Sequence, residues 1–190
     1  MNAERAPETA ADTDAAPPLR AIVQASLFAA LTAVGAYVAI PVGPVPIVLQ
    51  NLFVFLAGLL LGPRWGLASV ALYLLAGICG LPVFAGGTGG IGRFAGPTGG
   101  FLVGYLPAVA IVGWVGRRRF GGVGRDVAAM ALGAAALYAC GVPWLAAVTG
   151  LPLGKALAVG VLPFLPGDAV KIVAAALIAR SVRPVMQHER

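Results

Sequence analysis

Charge is the first thing this chain is short of. Only 11% of its 190 residues are Asp, Glu, Lys or Arg, where a soluble domain carries about 25%, so there is too little polar material for a water-facing exterior. Histidine is nearly missing. The single one, His188, stands in the charged C-terminal tail, which leaves no imidazole for a catalytic triad or a metal cluster. Acid is missing from the interior of the chain as well: between residues 21 and 179 only Asp126 and Asp168 occur. No phosphate loop of the Gly-Lys-Ser/Thr type exists, because Gly154-Lys155 is followed by Ala156. Gly87-x-Gly89-x-x-Gly92 matches the dinucleotide fingerprint in letters alone, since it follows no strand of a βαβ unit and has no acidic residue about twenty positions on. These absences argue against an enzyme, a metal site or a cofactor. Pumping of any solute would need separate ATP-hydrolysing subunits. The two cysteines, Cys79 and Cys140, lie inside apolar runs; they imply no disulfide framework and read as small core residues.

What is present is apolar. Hydrophobic residues make up 59% of the chain, mean hydropathy is +0.92, and the apolar residues come in long runs, which points to lipid as the solvent. Glycine (27) and proline (15) are abundant, and both are commoner in membrane helices than in soluble ones. The net charge of +6 comes mostly from arginines at chain turns and at the C-terminus. It reads as membrane topology, not as a nucleic-acid surface, which would cluster basic residues on an aqueous face. Residues 1–19 hold Glu4, Glu8, Asp12 and Asp14 among Ala and Pro. That is the opposite of a signal peptide's basic start, and a disordered cytoplasmic tail is expected there.

Apolar segments fall at about 21–40, 47–61, 65–81, 100–116, 127–149 and 161–182, with Pro143 a potential kink in the fifth. With the N-terminus inside, Arg64, the group Arg117, Arg118, Arg119 and Arg125, and the C-terminal Arg180, Arg183 and Arg190 all fall on the cytoplasmic side. The outer loops hold only Arg93 and Lys155. This is the asymmetry of the positive-inside rule, and five or seven helices would spoil it. The expectation is an all-α integral membrane protein of six transmembrane helices with both termini cytoplasmic. Residues 20–183 form one membrane domain and 184–190 a short tail. Pro41–Pro46 is a stiff turn, and residues 82–99 form a long glycine-rich outer loop between the third and fourth helices, suited to close backbone approach to a ligand.

Few residues can carry recognition. Asp168 stands at the outer start of the sixth helix, where the helix dipole favours an acid. Lys171 follows on the same face. An ionisable residue inside a membrane helix marks a solute path or is paired structurally, and the spacing permits either. Arg93, the charge of the long loop, has the fork geometry that grips a carboxylate. Gln50 and Asn51 open the second helix as two amides in an apolar stretch. Tyr73, Phe84, Phe94, Phe101, Tyr105, Trp144 and Phe164 are available to line an apolar pocket. Ala21, Ala25, Ala29 and Ala33 make a small-residue ridge on the first helix, suited to close packing within the chain or against another subunit.

Five stretches taken together resemble the BioY family of substrate-binding subunits of energy-coupling-factor transporters. They are Pro44–Gln50, Leu56–Arg64, Gly80–Gly87, Gly96–Gly100 and Pro163–Asp168 with Lys171, in the family's order over about residues 20–183. The resemblance implies a six-helix subunit of a bacterial cytoplasmic membrane that binds biotin near its outer face and works with a transmembrane coupling subunit and ABC-type ATPases. It implies Asp168 and Lys171 as ligand contacts, Gln50, Tyr73 and Phe84 as further contacts, and the alanine ridge as the docking surface for the coupling subunit; Arg93 lies between two of the matching stretches and stands as a candidate on its own chemistry. Asn51 departs from the threonine expected there. A subunit for another vitamin and a stand-alone facilitator are the competing readings.

Overall fold

A computed structural model describes residues 19–41, 43–116 and 122–188, with side chains as far as 184. The first eighteen residues of the expected tail, Arg117, Arg118, Arg119, Arg190 and the His188 side chain lie outside that description. Among the described residues there are seven helices: α1 (Leu19–Tyr37), α2 (Gln50–Ile78), α3 (Gly92–Ala95), α4 (Gly99–Gly116), α5 (Val123–Thr149), α6 (Leu153–Gly160) and α7 (Leu165–His188). The all-helical expectation needs one amendment. The proline-rich turn is flanked by β1 (Ala39–Ile40) and β2 (Ile47–Val48), paired antiparallel. Proline disfavours the helical region for the residue before it, so Ile40 and Val45 are pushed toward extended backbone, and the chain closes as a short ladder.

Four helices, α1, α2, α4 and α5, are long and apolar enough to cross a membrane, and α6 with α7 makes a fifth candidate bent by 49°. The expected second and third helices correspond to α2. It is broken at Gly62, whose φ of 77° and ψ of −177° belong to a region that is essentially glycine's own. Pro63 then opens the second arm, where its missing N–H costs nothing. The arms fold back on each other: a methyl group placed on Gly66 would lie 3.3 Å from the Gly58 Cα, a contact that a straight helix could not make. At its far end α2 stops in a Schellman turn, with Leu81 N–H donating to the Ala76 carbonyl and Gly80 N–H to that of Gly77, both at 3.1 Å. The expected sixth helix is shifted. It begins at Leu165 and continues through Pro184 to His188, beyond the tail boundary set at 184, and a separate short helix, α6, precedes it. α5 runs through Pro143 without interruption.

Glycine sets how closely the helices approach. A methyl on Gly113 of α4 would stand 2.5 Å from the Pro63 nitrogen, so α4 seats directly on the backbone of the α2 break. Small residues of this kind do the packing work where lipid supplies no hydrophobic drive. Large apolar side chains such as Leu27, Val34, Trp114, Val170 and Leu177 point outward, as lipid-facing positions should. At the same end as the break, Asp126 is buried and held two-pronged by Arg183, at 2.7 and 2.9 Å, and Arg125 Nε donates to the Val115 carbonyl at 2.9 Å.

The small residues singled out from the sequence divide between interior and surface. Ala25 and Ala29 are buried within the chain, and Ala21 and Ala33 are half-buried. The period of four therefore serves in part as a seat for the chain's own helices; the outward face of α1 carries Ile22, Val23, Leu27 and Val34. Cys79 is exposed and Cys140 half-buried, because Cys79 caps α2 where the chain leaves the bundle.

Gly113→Ala is expected to lower stability by about 1–3 kcal/mol, the cost of overpacking against backbone that cannot move aside. Gly124→Ala, with open space around it, is expected to be neutral or stabilising. Thermal unfolding of the two variants in detergent checks the contrast.

Candidate ligand-binding site

The end opposite Gly62 holds an open pocket with about 570 Å³ of empty volume, including its mouth. Apolar walls come from Val45, Phe84, Phe101, Leu102, Leu137 and Phe164; Gln50, Asn51, Arg93, Thr98, Tyr105 and Tyr138 supply polar atoms. Mostly apolar walls with a few convergent polar groups are the usual form of a small-molecule site.

The glycine-rich loop forms one side of the pocket, and it is an ordered structure with its own bonds. Phe84 and Thr88 pair as an isolated antiparallel bridge, and Gly90 N–H donates to the Gly77 carbonyl at 2.7 Å. The Phe84 ring lies on Gly77 so closely that a methyl there would fall 2.0 Å from ring carbon Cζ. It meets Tyr73 and Phe94 edge-on, with centroids 5.6 and 5.9 Å apart. Outer ties fix the loop to the helices: Tyr37 OH donates to the Pro82 carbonyl, and Trp144 Nε1 to that of Gly96 at 3.0 Å. Arg93 spends one Nη2 bond, at 3.3 Å, on the Ala85 carbonyl. Its Nε is buried with no partner, as are Gln50 Nε2 and the Tyr73 hydroxyl.

Opposite the loop stands a second polar group. Asp168, in the first turn of α7, is 3% exposed, and its carboxylate does not cap its own helix. Oδ1 accepts from Lys171 Nζ at 3.0 Å and from Asn51 Nδ2 at 3.3 Å; Oδ2 accepts from the Tyr138 hydroxyl at 2.5 Å. Tyr105 OH in turn donates to Asn51 Oδ1 at 2.7 Å. A charge out of water is tolerable only when paired and hydrogen-bonded, and this carboxylate has both.

The six residues singled out from sequence divide by position. Gln50, Phe84 and Arg93 line the pocket. Tyr73 lies behind Phe84 and beside Gln50. Asp168 and Lys171 stand behind the wall, and Asn51 and Tyr138 present their network to the space. Sequence reasoning passed over Tyr138 and took Tyr105 for an apolar surface. The one available signal was that a tyrosine within an apolar run needs a partner for its hydroxyl when buried. Among the described residues no three of His, Cys, Asp or Glu come together as a metal site.

The profile of the BioY family matches residues 6–188. The chain belongs to the BioY family. Curated relatives include the biotin transporter BioY of Thermotoga maritima, 40% identical over 161 residues and covering 85% of this chain and 94% of the relative. The biotin transporter BioY of Rhizobium etli is 43% identical over 174 residues, covering 86% and 92%. Among solved structures, the crystal structure of the S-component for biotin from an ECF-type ABC transporter superposes with a TM-score of 0.82. It is 30% identical and covers 87% of this chain and 92% of that one. This BioY-family chain is accordingly a multi-pass membrane protein with the S-component fold and a transport subunit, not an enzyme.

Removing one member of the buried pair should hurt more than removing both. Asp168→Ala strands the Lys171 ammonium and is expected to cost about 3–5 kcal/mol, whereas the double variant Asp168→Asn with Lys171→Met should recover much of that loss. Unfolding midpoints in detergent measure the difference.

Proposed function

We propose that this chain captures biotin on the outer side of a bacterial cytoplasmic membrane and hands it inward in concert with a transmembrane coupling subunit and ABC-type ATPases. The observation that carries the reading is the pocket: apolar walls, a buried guanidinium Nε without a partner on one side, and a neutralised ion pair with amide and phenol groups on the other. Biotin offers a carboxylate, an apolar chain and a ureido ring, which such a pocket complements. The naming of relatives at 40–43% identity as biotin transporters supports the choice of ligand.

In this reading Arg93 meets the carboxylate, with Gln50 and Tyr73 nearby. Lys171 is held on Asp168 and serves the opposite pole. Six crossings follow if each arm of α2 spans once and α6 with α7 counts as one. Both termini and the Asp126–Arg183 tie then lie inside, and the glycine-rich loop lies outside. The exposed face of α1, with the half-buried Ala21 and Ala33 of the alanine ridge beside it and the apolar groove that it forms with α2 and α7 around Leu27, Phe53, Leu56 and Ile178, is the surface offered to the coupling subunit.

The test is binding by the purified chain in detergent. Biotin is expected to bind saturably, with thiamine and riboflavin failing to displace it. Arg93→Ala should weaken biotin at least tenfold, since a charged hydrogen bond is worth about 1.5–3 kcal/mol. Displacement by another vitamin would transfer the assignment to that ligand. Unchanged affinity in both Lys171→Ala and Asp168→Asn would remove that pair from the site. Labelled biotin should enter cells only when the ATPase partners are expressed; uptake without them would make the chain a facilitator.

A further inference from the structure

The direction of every hydrogen bond around Asp168 is fixed by one fact: an ionised carboxylate only accepts. Tyr138 must therefore donate its single proton to Oδ2, at 2.5 Å. Asn51 must turn its Nδ2 toward Oδ1, at 3.3 Å, which points its Oδ1 the other way. Tyr105, 2.7 Å from that oxygen, must donate to it. Both phenols have spent their only proton inside the protein, and both line the pocket. Toward the pocket each can offer only a lone pair. Asn51, also on the pocket wall, keeps one Nδ2–H uncommitted. Following the network from Tyr105 through Asn51 to Tyr138, the wall reads acceptor, donor, acceptor.

We infer that Tyr105, Asn51 and Tyr138 are the specificity-determining readers of this pocket, set in that polarity by Asp168, and that together they select a group with two N–H donors flanking a carbonyl, that is, a cyclic urea. The inference rests on the biotin reading above and deepens it. Asp168 is a positioning residue in this scheme: it touches the ligand through the phenols and the amide whose protons it directs. A head group that brings only acceptors, such as a lactone or a doubly N-alkylated urea, meets two lone pairs and is rejected, because leaving buried polar groups unpaired discriminates far better than a missing apolar contact.

The experiment is a cycle of variants against analogues, using the full chain in detergent. The ligands are biotin, desthiobiotin, which keeps the urea, and biotins methylated at one or the other ureido nitrogen. The variants are Tyr105→Phe, Tyr138→Phe and Asp168→Asn, each with its unfolding midpoint measured alongside; Asp168→Asn, which strands Lys171, is expected to lower it. In wild type, each methylation is expected to weaken binding about tenfold or more, with desthiobiotin retained. Each Phe variant should weaken biotin about tenfold and shrink the penalty for methylating one nitrogen, a different one for each variant, to less than threefold. Asp168→Asn frees the Tyr138 proton and should likewise shrink the penalty. A variant with a lowered midpoint is still read by this ratio, since a purely structural defect weakens biotin and its analogues alike. Methylation penalties that stay at the wild-type value in both Phe variants would overturn the inference while leaving biotin binding intact. Failure of the wild type to bind biotin at all would overturn both readings.

Discussion

A carboxylate out of reach of water governs the end of the molecule where the pocket opens. Asp168 is too costly to leave alone in an apolar bundle, and the partners that satisfy it come from several elements. Asn51 belongs to α2, Tyr138 to α5 and Lys171 to α7, while Tyr105 of α4 joins through Asn51. Four helices are thereby tied at one level. In lipid, where tails are as apolar as leucine, helices gain little from burying one another; a shared anion fixes rotation and register that apolar contacts leave loose. The pocket polarity is a by-product of that constraint, because the protons that stabilise Asp168 are the ones the wall no longer offers.

The far end is held by a different device. Asp126 at the start of α5 and Arg183 near the end of α7 form a two-pronged pair, close to where α4 sits on the backbone of Gly62 and Pro63. One polar tie at each end of α7, with small residues such as Ala175, Ala176 and Ala179 buried between them, makes that helix a strut whose ends are specified by charge and whose middle is specified by shape. Each end therefore contributes to stability through chemistry that the other lacks.

The sequence made parts of this visible and hid others for physical reasons. Asp168 and Lys171 are three residues apart, and helix geometry alone puts them on one face. The scarcity of other charges made the pair conspicuous. The alternation of arginine between loops located the two ends. The Gly62–Arg64 turn was legible because the apolar runs 47–61 and 65–81 stop on either side of it and Arg64 stands between them. Tyr138 was not legible: it lies 30 positions from Asp168, and no local spacing encodes a contact between two helices. The alanine ridge was ambiguous for the opposite reason. A period of four announces that something packs closely, and is silent on whether the partner is another subunit or, as for Ala25 and Ala29, the rest of the same chain. α6 escaped because eight residues between Pro152 and Val161 are too few to show a period against a uniformly apolar background.

The glycine-rich loop answers a constraint peculiar to irregular backbone near lipid, where each unpaired amide costs several kcal/mol. The loop meets this within itself, through the Phe84–Thr88 bridge and the turn at Arg93–Gly96, and against α2, through the Gly90 bond to Gly77. That close seating is why glycines are needed: a Cβ on Gly89 would fall 2.2 Å from the Leu81 carbonyl oxygen, and one on Gly77 2.0 Å from the Phe84 ring. What the loop does not satisfy is the buried Arg93 Nε, a donor without an acceptor on a residue that lines the pocket. An anionic guest would complete the loop's bonding at the same time as it fills the pocket. Ligand occupancy and the loop's own bonding then draw on the same interaction, so an anion bound there stabilises the folded loop by an amount that rises with the logarithm of its concentration over its dissociation constant.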